Sequence, residues 1–166
     1  MYKKDTTKAN FDRYLADGLI KKTSPNRNIT RILVQNATES LHEAQRTQSA
    51  LWRIVMSYYA MFYIANAVLT SQGYKVGDAI AHKVTSDALV VVVKDKLTKT
   101  LITQYEDVKV QALQVIKSDE IIQSFEYERK KRSFFQYTTT EHAKQQKADT
   151  SLKRAQEFVF AMKKLL

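Results

Sequence analysis

The chain has 166 residues, the size of one domain and long enough to bury a core of its own. It carries 27 basic against 17 acidic residues, a formal charge of +10. That balance suits an anionic partner such as nucleotide or nucleic acid, although solubility alone also accounts for a basic surface. There is no cysteine, which excludes disulfides and thiolate metal sites; with no secretory apolar region at the start, the expected compartment is the cytoplasm.

Glycine and proline are confined to Gly18, Gly73, Gly77 and Pro25. An all-β domain needs more turn residues than this, so long helices with few connections are expected. The first segment, about 6 to 22, places Phe11, Tyr14, Leu15 and Leu19 at helical spacing and ends before Ser24-Pro25. A second helix is expected over about 27 to 47, with Ile29, Ile32, Leu33, Ala37, Leu41 and Ala44 on one side. The third, about 48 to 72, has one charge, Arg53, and is apolar nearly all round, as a central helix would be, with Gly73 as its stop. Its longest largely apolar window, residues 56 to 69, contains Asn66 and falls short of the ~20 residues of a spanning helix, so no membrane association is expected.

The fourth segment, about 78 to 97, contains ALVVVV. Its valines favour a strand by propensity, but Ile80, Val84, Ala88, Val91 and Leu97 recur at nearly helical intervals and no partner strand is evident. A helix is therefore expected. A fifth runs from about 100 to 117 and a sixth from about 119 to 136. The last helix is expected to start at Thr138, which with Glu141 fits a capping box. Ala148, Leu152, Ala155, Val159, Met162 and Leu166 then form one long apolar seam, able to pack within the domain or against a second copy.

Two constellations stand out. Tyr58, Tyr59, Phe62 and Tyr63 most simply fill a core. The two adjacent tyrosines, however, point about 100° apart on a helix, so one can face the core and the other a cleft or a dimer seam. The other constellation is ERKKRSFFQY, residues 128 to 137. Ile122, Phe125, Arg129, Arg132 and Gln136 share a face that begins apolar and turns basic. Either the helix runs out of the core into solvent there, or the arginines meet a carboxylate or phosphate in a groove. Three scattered histidines (His42, His82, His142) and the absence of phosphate-loop, dinucleotide and hydrolase-elbow motifs leave no metal or cofactor site to expect.

The ordered set SYYAMFYIANAVL, AHK at 81 to 83, RSFFQY and AQEFVF resembles the HEPN domain (higher eukaryotes and prokaryotes nucleotide-binding), in its small stand-alone prokaryotic kind, over about 35 to 166. The resemblance implies an all-α, up-and-down bundle of four to five long helices. A shorter N-terminal helix lies in an extension, residues 1 to 26, within a single domain spanning 1 to 166. It implies a homodimer, a nucleotide or RNA ligand, and a small nucleotidyltransferase as partner in a toxin–antitoxin pair. Ligand-binding residues carried over are Arg129, Lys130, Arg132 and Tyr137, with His82, Tyr59 and His142 as further contributors.

Family members that cleave RNA without metal use an arginine followed four to six residues later by a histidine. Here Tyr137 follows Arg132, and tyrosine, with a reference pKa of ~10, is a poor general base near neutral pH. Binding is thus the leading expectation. Ribonuclease activity through His82 or His142 is the alternative, and a dimeric helical protein-interaction module is a third.

Overall fold

The structure, a computed structural model, describes residues 4–93, 95–117 and 134–166, and side chains within 6–93, 95–117 and 144–166. Among the described residues the chain forms six helices and one two-stranded sheet: α1 (Lys4–Ala16), β1 (Ile20–Lys22), α2 (Arg27–Arg46), α3 (Ala50–Ser71), β2 (Tyr74–Val76), α4 (Ala81–Val92), α5 (Lys99–Lys117) and α6 (Phe134–Lys163). The all-α expectation holds. Helix α3 is the axis, packed by α2, α5 and α6 along its length and by α4 and β2 near its end. By length and composition α3 could cross a bilayer, but most of its residues are buried in the bundle.

Local chemistry sets the boundaries. The Asn26 side chain accepts from the Ile29 N–H at 3.0 Å, and the Ser49 hydroxyl accepts from the Trp52 N–H at 3.3 Å, so each helix has a polar N-cap directly before it. Arg53, the single charge of α3, has a structural use. Its guanidinium donates to the carbonyls of Ala44 (3.1 Å) and Thr47 (2.9 Å) at the end of α2, and to Asp149 of α6 (2.5 Å). One side chain thereby satisfies orphan carbonyls and ties three helices together.

The main core joins Tyr58, Met61, Ile64 and Val68 of α3 to Tyr105 and Val108 of α5 and to Phe158, Val159 and Met162 of α6. Alanines at 37, 60, 65, 112, 148 and 155 are all fully buried there and let the backbones approach closely. A second cluster, Phe11, Tyr14, Ile20, Leu69, Val84 and Ala88, fastens α1 and β1 onto α4. Within it the Tyr14 hydroxyl donates to the buried Asp87 carboxylate at 3.0 Å, and Asn10 donates to the same oxygen at 3.3 Å. Burial, and then the adjacent Asp87, push the Tyr14 phenol above its ordinary pKa.

Several boundaries differ from the sequence expectation. The first helix stops at Ala16, not near 22: Gly18 turns the chain at φ +70°, and Ile20–Lys22 becomes a strand paired antiparallel with Tyr74–Val76. The fourth helix is shorter than expected at both ends: Ile80 sits in the left-handed region (φ +46°) immediately before it, and it closes at Val92, with the Val93 N–H on the Leu89 carbonyl. Val90, Val91 and Val92 are nonetheless helical, on the helix that buries Val84, Ala88 and Leu89 at helical spacing. The last helix begins at Phe134, so Thr138 and Glu141 lie inside it and do not cap it. Of the seam, Ala148, Ala155, Val159 and Met162 are buried as expected and Leu152 is half-buried, but Leu166, beyond the helix end, is 48% exposed. The segment expected at 119 to 136 falls, apart from its last three residues, outside the described residues.

Gly73 ends α3 at φ +83°, and a Cβ there would lie 2.6 Å from the Thr23 carbonyl oxygen. Gly18 has a similar φ of +70°, but a Cβ there would meet only the Lys21 Cε at 3.9 Å, an ordinary contact. Gly73→Ala should therefore lower unfolding free energy by about 2–3 kcal/mol, and Gly18→Ala by only about 1 kcal/mol. Urea denaturation of the two variants measures the difference; equal losses would show that the close approach to Thr23 is not the constraint.

Candidate functional site

A cleft of about 560 Å³ opens between the start of α2, the middle of α3, β2 and the start of α4. Its floor comes from one face of α3. Tyr59, Phe62, Tyr63, Asn66 and Thr70 follow one another at helical spacing, and all five are half-buried. His82 from the first turn of α4 forms the facing wall, and Lys75 and Asp78 stand at the rim. Tyr58 and Tyr59 separate as adjacent helical positions must: Tyr58 is fully buried, whereas Tyr59 faces the cleft. The aromatic run is therefore only partly core.

The rings form a continuous apolar surface. Phe62 lies 4.9 Å from the His82 ring, and Tyr59 lies 5.9 Å from Tyr63, between ring centroids. Polar groups fix the wall to the floor at two levels. The Tyr58 hydroxyl and His82 Nδ1 are 2.7 Å apart. Two turns further along α3, Asn66 Nδ2 donates to the Phe62 carbonyl at 2.9 Å and to Thr85 Oγ1 at 3.2 Å. Behind the wall, Ser86 Oγ donates to the His82 carbonyl at 3.0 Å. Lys109 Nζ donates to Ser86 Oγ at 2.7 Å and pairs with Glu106 at 2.6 Å.

The electrostatics keep this centre uncharged. Burial, and then the Lys109 ammonium, hold the His82 imidazole below its ordinary pKa. Burial, and then Tyr105, Tyr59 and Glu106, push the Tyr58 phenol far above its ordinary value. A phenol is the better donor and a bare imidazole nitrogen the better acceptor, so we assign the proton between them to Tyr58. The ring proton then sits on Nε2, the nitrogen left for a ligand. Asn66 lines the cleft beside it, with its Nδ2 held by the Phe62 carbonyl and Thr85 Oγ1 and its Oδ1 within 3.5 Å of the Thr85 hydroxyl.

Of the residues singled out from sequence, His82 and Tyr59 meet in this cleft, with ring centroids 6.2 Å apart. Arg129, Lys130 and Arg132 lie outside the described residues. Tyr137 and His142 share the backbone of α6, but their side chains lie outside what is described. Sequence reasoning missed Asn66 and Lys75. The signal for Asn66 was present, a polar residue repeating the spacing of Tyr59 and Tyr63 on an otherwise apolar helix. The described residues contain no cluster of His, Asp or Glu able to hold a metal. No protein-family model, curated protein or solved structure matches the chain.

Tyr58→Phe should cost about 1–2 kcal/mol, because it leaves His82 Nδ1 without its partner in a half-buried position. The pH dependence has a definite sign. The His82 pKa is lower folded than unfolded, so the stability it carries is complete above the ordinary histidine range near ~6.5 and is lost as pH falls through the depressed folded value. Urea unfolding at about pH 7.5 and 5.5 should show a loss in the wild type that His82→Gln diminishes; an unchanged slope would contradict the assignment.

Proposed function

We propose that this chain is a HEPN-like helical module that binds nucleotide or RNA, with a base seated in the cleft between α3 and α4. One observation carries the reading: three aromatic rings and an imidazole line a single opening, with polar side chains such as Asn66, Thr70 and Lys75 around them. A base has a flat π surface and a polar edge, and such a cleft offers both stacking and hydrogen bonding. The cleft volume of about 560 Å³ lies within the usual range of ligand sites. The net charge of +10 supports a phosphorylated ligand. The basic stretch at 129 to 132 supplies further cations in the sequence, and the resemblance counts Arg132 and Tyr137 among the ligand-binding residues.

The assignment of His82 supports binding over cleavage. A neutral ring with its proton on Nε2 is a donor toward the ligand and has no free nitrogen to accept a proton from a hydroxyl. By the same resemblance the working unit is a homodimer, and its partner is a small nucleotidyltransferase of a toxin–antitoxin pair.

Stacking on one aromatic side chain contributes about 1–3 kcal/mol per base. Tyr59→Leu and Tyr63→Leu keep apolar bulk but remove the flat ring, and each should weaken binding of a short single-stranded RNA by about five- to a hundredfold. Isothermal titration calorimetry measures this, with thermal melting as the check on folding. Unchanged affinity in both variants would overturn the cleft as the site.

A further inference from the structure

The two-stranded sheet at the rim of the cleft carries an unfavourable arrangement. Lys21 of β1 and Lys75 of β2 are direct cross-strand partners. Their side chains therefore leave the same face from adjacent positions, where like charges destabilise the pairing. Each strand is only three residues long, so this repulsion sits in the middle of a marginal ladder. Both lysines are exposed, and among the described residues no ion pair or hydrogen bond neutralises either one. Lys75 also lines the cleft, next to the hydroxyl-bearing Thr23 and Ser24. A lysine on an exposed edge strand guards against aggregation. That purpose needs one lysine, or a lysine facing an acid; it does not need two facing each other. The acidic group nearest in sequence, Asp78, also lines the cleft, three residues beyond Lys75.

We propose that Lys21 and Lys75 form a phosphate-binding pair continuing the aromatic cleft, so that the ligand is a phosphorylated nucleoside whose base lies on α3 and whose phosphate lies over the β1–β2 sheet. This rests on the base-binding reading above and adds a direction to it: the base points toward His82 and the phosphate toward the sheet. A phosphate between the two ammonium groups converts their mutual repulsion into two attractions. The sheet then holds in place two charges that the fold itself does not need.

The test compares the wild type with the Lys21→Gln/Lys75→Gln double variant. Calorimetry would use the four ribonucleosides, their 5′-monophosphates and inorganic phosphate, at about 50 and 300 mM salt. The wild type should bind at least one monophosphate about tenfold or more tighter than its nucleoside at low salt, lose most of that advantage at high salt, and bind inorganic phosphate far more weakly. The double variant should lose the advantage while melting at the same or a higher temperature, because a repulsion has been removed. If the variant keeps the advantage, the lysine pair is overturned and base binding stands. Inorganic phosphate binding as tightly as the best monophosphate overturns the link between the two parts. If the wild type binds neither nucleosides nor monophosphates, both readings fall.

Discussion

A helix with no fully polar face has to be covered on every side, and α3 imposes that requirement on the rest of the chain. Tyr58, Met61, Ile64, Ala65 and Val68 are all completely buried. Fully burying a large apolar side chain contributes about 1.5–3 kcal/mol, so the surrounding helices gain most by closing around this one. Helices α2, α5 and α6 do so along its length, and α4 and β2 do so near its end. One stripe remains half-buried, Trp52, Met56, Tyr59, Tyr63, Asn66 and Thr70. The second half of that stripe is the floor of the cleft. The candidate site is thus the part of the central helix that its neighbours leave accessible.

What makes the cleft a defined shape, and not a gap, is the pair of polar ties between α3 and α4. Tyr58–His82 and Asn66–Thr85 lie about two turns apart on α3 and one turn apart on α4. Each joins a group at the edge of the core to a group at the edge of the cleft, so the wall and the floor hold a fixed spacing. Tyr58 belongs to the core by burial and to the site by its hydroxyl. A substitution there should change both stability and the state of the imidazole that a ligand meets.

Much of the architecture was legible in the sequence. The expected spans of the second, third and fifth helices lie within about two residues of the observed ones, because polar caps stand at Asn26 and Ser49 and the periodicity is strong. The β1–β2 sheet was not legible. Three-residue strands carry no alternation to read, and their pairing depends on the turn at Gly18 and the stop at Gly73 bringing distant segments together. The start of the last helix was misread because Thr138 and Glu141 satisfy a capping pattern that the backbone does not use. For the site, the family resemblance directed attention to 129 to 137, which lies largely outside the described side chains, while His82 and Tyr59 stood as secondary contributors. The structure joins those two with Asn66 and Lys75. Lys75 was invisible because its neighbour, Lys21, is set by strand register alone.

The central claim is that the accessible stripe of α3, faced by His82, is where the ligand sits. The most direct test is an NMR titration of isotopically labelled protein with a short single-stranded RNA, following aromatic ring signals and the Asn66 side-chain amide. The account predicts that the largest shifts fall on Tyr59, Phe62, Tyr63, Asn66 and His82, with His82 retaining the nitrogen shifts of a neutral Nε2–H ring. Shifts that spare all five while appearing elsewhere, or no shifts at all, would contradict it.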